Sequence, residues 1–270
     1  MARLVLTALL LIALPGAGTA AGGAIPIVPS PAGLTLAGEA RVADVIDGAT
    51  MLLDDGETVR LAGIRVPHPE RDGTGTGSAG ARLAAEAHQA LAGLVQGRLV
   101  GLAFDDIRRD RHGRLRAHLV RADDGAWIQG TLIEAGLARV MSLAQERAAV
   151  AEMLAHERSA RAARRGLWAE PRYRVLAAAE AGEGLRSFGL VEGRVRRAAV
   201  VRGRGYLNFG ADWRSDFTVS IAPRDRRRFE AAGIAVGDYE GRLVRVRGWI
   251  ESFNGPMIEA THPEQIEVLE

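Results

Sequence analysis

Three short segments decide how the first half of this sequence folds. Residues 45–50 read Val-Ile-Asp-Gly-Ala-Thr, residues 59–67 read Val-Arg-Leu-Ala-Gly-Ile-Arg-Val-Pro, and residues 110–114 read Asp-Arg-His-Gly-Arg. A turn signal, Asp-Asp-Gly at residues 54–56, separates the first segment from the second. The pattern predicts a strand on each side of this turn, the second from about residue 57 to residue 64.

Helical periodicity follows these strands after a Gly-rich stretch at residues 71–80, which predicts a flexible loop. Leu83, Ala87, Leu91 and Leu94 fall on one face of the first predicted helix. Strands are predicted at residues 99–104 and 115–120. A second helix is predicted by the apolar spacing of Ile128, Leu132, Ile133 and Leu137, and a third by a capping-box pattern that begins at Ser142 and by Gly166 at its end.

The last part of the chain, residues 187–270, changes back to short strands around a single predicted helix. That helix begins at Pro223, where a missing N–H costs nothing. Five short strands with one helix predict a second small barrel of the OB type, a Greek-key arrangement of five strands. Residues 177–186, rich in Ala, Glu and Gly, predict a linker between the two regions.

Composition narrows the classes of site. The 270 residues include no Cys, which excludes disulfides, thiolate metal ligands and a Cys nucleophile. All basic side chains are Arg, but the net charge of +2 does not by itself establish nucleic-acid binding. Arg-rich coding in a GC-rich genome is an equally good explanation.

The N-terminus has the features of a secretory signal: a basic start, an apolar run at residues 4–14 and small residues before residue 24. We therefore expect residues 1–24 to be removed, residues 25–37 to form a linker, and the mature protein to be secreted or periplasmic. A retained membrane anchor is the alternative. No later segment is long and apolar enough to span a membrane.

The order and spacing of the segments from residue 38 to residue 176 resemble the thermonuclease family, whose members are similar to staphylococcal nuclease. The resemblance rests on the three quoted segments and on an ending of Ala-Gly-Leu-Ala at residues 135–138, a long helix and Gly-Leu-Trp at residues 166–168. It implies a mostly β, α+β fold: a five-stranded OB-type barrel with three helices, followed here by the second OB-like domain at residues 187–270. Residues 206–214 and the C-terminal segment resemble an extension found on some proteobacterial members.

The family hydrolyses phosphodiesters with a calcium ion held by two carboxylates, a Glu general base and two arginines. The resemblance places those arginines at Arg60 and Arg114. It places the two metal-ligand positions at Ala49 and Arg65, and the base position at His68. Neither Ala nor Arg offers the hard oxygen ligand that calcium requires.

Several residues remain as substitutes if the site is rearranged. His68 would accept a proton as a substitute base, and a two-residue insertion would instead bring Glu70 to the base position. Asp47 is a weak metal candidate beside the lost ligand positions, with Asp44 and Asp72 as further carboxylates. We expect no cofactor, and calcium only in such a rearranged site.

The charge of the same pocket, compared with the family pattern, is consistent with anion binding. Asp to Ala adds one positive unit, Asp to Arg adds two, and Glu to His adds at least one. The pocket is therefore about four units more positive than the family pattern, and Arg60, Arg65 and Arg114 would hold an anion such as phosphate without a metal. The alternative is an inert pocket in which Arg65 pairs with Glu70 or Asp72.

The second domain has a basic and aromatic strand. In residues 242–250 the side chains of Arg245, Arg247 and Trp249 point to one side, opposite Val244, Val246 and Ile250. OB folds bind single strands through such a stripe, which Tyr206, with Asn208 and Trp213, would extend. The alternative is that the tryptophans cover the end of the barrel or pack on the first domain.

Three functions stay open. The first is an exported, catalytically degenerate member that binds nucleic acid or another polyanion through the metal-free arginine pocket. The second is an active nuclease with a rearranged site. The third is a scaffold for contacts with a protein of the cell envelope.

Overall fold

The first domain is a closed five-stranded barrel. The computed structural model describes residues 25–31, 33–69 and 78–270. The barrel strands run in the order β1-β2-β3-β6-β5 and close between β5 and β1. Their bounds are β1 Leu36–Asp47, β2 Thr50–Leu53, β3 Thr58–Leu61, β5 Leu99–Ala103 and β6 Leu115–Arg121, and a short pair outside the barrel joins β4 Ile64–Arg65 to β7 Arg139–Val140.

Three helices cover this barrel: α1 Ala79–Val95, α2 Ile128–Glu134 and α3 Val150–Ala162. The Ser78 hydroxyl caps α1 by accepting a hydrogen bond from the backbone N–H of Ala81. All four residues of the predicted α1 stripe are buried, so the periodicity identified the correct face: Leu83, Ala87, Leu91 and Leu94. The mostly β fold with an OB-type barrel is thus confirmed.

The third helix begins later than the sequence predicted. It starts at Val150, and Ser142 does not cap it. Instead the Ser142 hydroxyl lies 2.7 Å from Nε2 of His262, at the far end of the chain. The capping-box pattern was therefore a coincidence of spacing.

The second domain has one sheet of eight strands and one α-helix, α4 Pro223–Ala231. The strands are β8 Leu176–Ala177, β9 Ser187–Arg194, β10 Arg197–Val201, β11 Arg204–Asn208, β12 Thr218–Ile221, β13 Leu243–Ser252, β14 Pro256–Glu259 and β15 Ile266–Val268. Sequence patterns missed β14, which begins with a proline.

The two domains share one strand order. In the second, β9 continues directly into β10, and the path β10-β11-β12-β14-β13 returns to β9. A parallel pair, β12 with β14, takes the place of the parallel pair β3 with β6 in the first barrel. The second sheet therefore returns to its starting segment through the chain between β9 and β10, in the strand order of the first barrel.

A buried ionic cluster joins the domains. Nη2 of Arg247, on β13, lies 2.8 Å from Oε2 of Glu157 on α3 and 2.6 Å from Oε1 of Glu267 on β15. Nη1 of Arg247 also donates to the carbonyl of Val140 at 3.2 Å. Burial alone would raise the pKa of Glu267, but the positive charge of Arg247 lowers it overall.

The described residues of both predicted linkers make contacts with the rest of the chain. In the first, Val28 is buried, donates its N–H to the Thr131 hydroxyl and accepts from the N–H of Trp127. In the second, a 3-10 helix at Ala178–Gly184 buries Ala181. Neither stretch is the open connection that its composition suggested, because a few small or apolar side chains anchor each one.

The predicted signal at residues 1–24 and most of the predicted loop at residues 71–80 lie outside the described residues. In the described part of the chain, no helix has the length and apolarity needed to cross a membrane.

Candidate functional site

Four arginines meet at one end of the first barrel. Arg60 on β3 is the direct neighbour of Arg116 on the parallel strand β6. Arg114 precedes β6, and Arg65 lies on β4. Burial lowers the pKa of Arg60, and the charges of Arg114, Arg116 and Arg65 add to this effect against the opposing charge of Asp47. The structure therefore brings the three predicted arginines together and adds a fourth.

Carboxylates accompany three of these arginines. Nη1 of Arg60 lies 3.1 Å from Oδ1 of Asp47, and Nη2 of Arg114 lies 2.7 Å from Oδ2 of Asp110. Arg116 pairs with a buried partner, Glu146. The arginine cluster, defined as Arg60, Arg65, Arg114 and Arg116, is thus largely compensated by its own neighbours.

Two of the carboxylates have other donors as well. Oδ1 of Asp47 accepts the N–H of Ala49 at 2.8 Å, and its Oδ2 accepts the Thr50 hydroxyl at 3.0 Å. Oδ1 of Asp110 accepts the backbone N–H groups of His112 and Arg114. Each carboxylate would therefore keep hydrogen bonds if the guanidinium of its arginine turned away.

The positions that the family pattern assigns to calcium ligands do not fit a calcium ion. Ala49 is buried and has no donor oxygen in its side chain, Arg65 is a cation, and Asp47 is held by Arg60 and the turn. Within residues 25–31, 33–69 and 78–270, no three His, Cys, Asp or Glu side chains gather as a metal site would require. His68 is exposed, and the other candidate base, Glu70, lies outside the described residues.

The family match agrees with this geometry. Residues 58–170 match the family model described as staphylococcal nuclease homologue. The matched segment, which runs from β3 to just beyond Ala169, is therefore similar to this family. The match starts at β3, so the turn that carries Asp47 and Ala49 precedes it, and it covers less than half of the chain. No curated protein matches the chain.

The predicted stripe on β13 has a different environment from the one expected of a nucleic-acid surface. Arg247 is 1% exposed and is held in the ionic cluster between the first domain and the second barrel. Arg245 pairs with Glu192 at 2.6 Å. The side-chain alternation was correct, but the first domain covers the side of β13 that carries Arg247. The packing alternative concerned the tryptophans, and Arg247 packs on the first domain in addition.

Trp249 bridges the two domains. Its ring stacks edge-on against Phe188, and the guanidinium of Arg65 lies 4.9 Å from its centroid. Trp249 is still 43% exposed. The second barrel therefore contributes an aromatic ring beside the arginine cluster, at Arg65. Tyr206 lies elsewhere, in a groove of the second barrel.

Sequence reasoning missed Arg116 and its partner Glu146. Arg116 follows Arg114 by two residues at the start of a strand, and residues two apart on a strand face the same side. That spacing was a usable signal. Glu146 has no such signal, because it comes from the irregular segment before α3.

Proposed function

We propose that this protein binds nucleic acid, or a similar polyanion, at the arginine cluster without a metal ion and with little hydrolysis. The observation that carries the proposal is the convergence of Arg60, Arg65, Arg114 and Arg116 in a nuclease-family domain whose ligand positions are Ala49 and Arg65. A divalent cation normally neutralises phosphate charge in such a site. Here the arginines would do so directly.

Arg60 and Arg114 are the residues that would reach a phosphate. Their side chains are 23% and 33% exposed, against 11% for Arg116. Because Asp47 and Asp110 keep backbone or hydroxyl donors, each arginine can exchange its carboxylate for a phosphate at modest cost. Arg116 would keep its ion pair with Glu146 and would attract the phosphate through its positive charge.

Weak hydrolysis follows from the missing groups. A lost general base costs roughly 10²–10⁴ in rate, and a lost metal removes further stabilisation of charge in the transition state. Arginines that bind the ground state and the transition state equally well do not speed the reaction. An active nuclease would need a base from His68 or Glu70.

Export is part of the proposal. It rests on the N-terminal pattern at residues 1–24, and places the protein in the periplasm or outside the cell. N-terminal sequencing of protein from the native cell tests it: a start near residues 21–25 supports export, and an intact Met1 in a soluble cytoplasmic pool contradicts it.

Binding is tested with a labelled single-stranded oligonucleotide in EDTA, followed by fluorescence anisotropy across a salt series. Two phosphate contacts, by Arg60 and Arg114, give a log–log slope of about −1.4, since each contributes about −0.7. Arg114→Ala should weaken binding by about ten- to 150-fold, the equivalent of one charge-assisted hydrogen bond of about 1.5–3 kcal/mol. The matched control is Arg98→Ala, which removes a carboxylate-paired arginine at the opposite end of the barrel.

Salt-insensitive binding, or equal effects of Arg114→Ala and Arg98→Ala, would count against the arginine cluster. Cleavage is measured in parallel on DNA and RNA with calcium, magnesium and EDTA. Cation-dependent cleavage abolished by Arg60→Ala would favour the rearranged nuclease. The triple variant Ala49→Asp, Arg65→Asp and His68→Glu restores the family pattern and should gain calcium-dependent activity, whereas Arg65→Asp alone should only weaken binding. If the protein binds no nucleic acid but still binds a protein of the cell envelope, the scaffold function would be favoured.

A further inference from the structure

A groove of about 430 Å³ crosses the second barrel. Its floor is a row of side chains on four neighbouring strands: Arg197 on β10 pairs with Asn208 on β11, Asn208 with Thr218 on β12, and Thr218 with Met257 on β14. Side chains directly opposite one another on paired strands face the same side of the sheet. The row therefore offers a cation at one end and hydrogen-bonding groups in the middle.

Aromatic side chains stand beside this floor. Trp213, from the loop between β11 and β12, is 50% exposed, and Phe253, from the turn between β13 and β14, is 61% exposed. Tyr206, half-buried on β11, completes the lining. Large exposed aromatic faces that converge on one groove mark a site of recognition.

The two loops that carry these rings are held in place. Asp212 accepts the N–H of Arg214 and the hydroxyl of Ser215, and its own N–H donates to Asp216 at 2.8 Å. Gly255 has a positive φ of 89°, and a Cβ there would lie 2.5 Å from the carbonyl of Ser215. The turn and the loop are thus packed backbone to backbone, so little ordering is needed when a ligand binds.

Charge favours an anionic ligand. Arg197 is exposed, and the guanidinium of Arg214 lies 4.5 Å from the centroid of Trp213. The nearby Asp212 and Asp216 are engaged within their own loop. Glu251, the neighbour of Met257 on β13, is the one acidic side chain next to the floor row among these residues.

We propose that this groove binds single-stranded nucleic acid, with bases stacked on Trp213 and Phe253 and phosphates near Arg197 and Arg214. Flat aromatic faces with flanking arginines suit a chain that alternates rings and negative charges. The site is on the other barrel from the arginine cluster and does not depend on it. The groove residues differ from Arg245 and Arg247, which are paired within the protein.

A path also connects the groove with the nuclease domain. Trp249 and Glu251 are two residues apart on β13 and share one side of that strand, and Phe253 follows in the turn after it. Trp249 in turn contacts Arg65. One strand of nucleic acid that occupied the groove would be directed toward the arginine cluster.

The test compares two polyanions on the purified full chain, with anisotropy for a labelled oligothymidylate and competition for inorganic polyphosphate. Trp213→Ala and Phe253→Ala should each weaken oligothymidylate binding by about 5- to 150-fold, the range for loss of one stacked base. Polyphosphate has no rings, so its affinity should stay unchanged. Val268→Ala, also an exposed apolar residue of the second barrel, is the control and should change neither.

Different results separate the two sites. If neither aromatic variant weakens oligothymidylate binding while Arg114→Ala does, the groove proposal is wrong and the arginine cluster stands. If the aromatic variants weaken oligothymidylate binding and Arg114→Ala does not, the groove proposal stands and binding at the arginine cluster is wrong. Equal losses for both polyanions, or a preference of the groove for a neutral oligosaccharide that Trp213→Ala abolishes, would also overturn the proposal. Circular dichroism of each variant confirms that it is folded.

Discussion

Replacement of Arg247 by Met tests whether the ionic cluster holds the two domains together. Met has a similar length but no charge, so it leaves Glu157 and Glu267 buried near each other. Arg247 is 1% exposed, and its Nη2 lies within 2.8 Å of both carboxylates. Removing one partner of a buried ion pair costs about 3–5 kcal/mol.

The remaining contacts reduce this cost but do not abolish it. Oε1 of Glu157 still accepts the N–H of Val140, and Arg161 lies 3.7 Å from its other oxygen. Arg158 stays 3.3 Å from Glu267. Neither arginine takes the position between the two carboxylates. For a chain of this size we expect a fall in the melting temperature of about 6–20 °C.

The pH dependence distinguishes lost charge from lost packing. In the native protein the pKa of Glu267 is lowered, so its contribution to stability is present above the unfolded-state pKa and is lost as the pH falls through the folded-state pKa. In Arg247→Met the carboxyl can protonate at a higher pH. The destabilisation should therefore be largest near neutrality and smaller in mild acid.

Thermal unfolding by circular dichroism across this pH range measures the effect. Arg194→Met removes an exposed arginine that pairs with Glu270 and should cost no more than about 1 kcal/mol. A loss from Arg247→Met that equals this control, or that is the same at every pH, would refute the reasoning. Adding Glu267→Gln to Arg247→Met should recover part of the stability.

Three further predictions concern stability alone, each measured by urea unfolding. Burial lowers the pKa of His118 and of His262 to about 4, so each histidine favours the folded state above its unfolded pKa of 6.5 and costs about 2 kcal/mol of stability by about pH 5. His262→Gln should remove one such loss, and a wild type as stable at about pH 5 as above pH 6.5 would contradict this. Gly136→Ala should destabilise well beyond the roughly 1 kcal/mol expected of Gly113→Ala, because both glycines have positive φ but only at Gly136 would a Cβ meet a backbone oxygen, 2.2 Å away; equal effects would argue against that contact. Val28→Ala should cost about 1.5 kcal/mol and Ile27→Ala almost nothing, since Val28 is 6% exposed and Ile27 50%; a similar response from both would mean that residues 25–31 do not pack on the barrel.

Local patterns predicted the parts of the fold that local physics determines. The α1 face was read correctly from Leu83 to Leu94, and the alternation on β13 from Val244 to Ile250, because periodicity depends on neighbours along the chain. The same alternation could not reveal what covers the charged side. For Arg247 the answer comes from Glu157, in the other domain.

Distant partners account for the other differences. Ser142 has the spacing of a helix cap, but its hydroxyl contacts His262, 120 residues away. Residues 25–31 have the composition of a linker, and Val28 becomes a core residue through its contacts with Trp127 and Thr131. In the candidate site, the family pattern located Arg60 and Arg114, whereas Glu146 as the partner of Arg116 required the folded chain.

The contact between Arg65 and Trp249 has a consequence for binding studies on the first domain by itself. A truncation after residue 176 would remove the aromatic ring on which Arg65 rests and would open Glu157 to water. The fragment would then present a surface and an electric field at its arginines that the intact chain never has. Binding data from such a fragment would describe a different binding surface. Variants of the arginine cluster therefore have to be expressed and measured in the full chain.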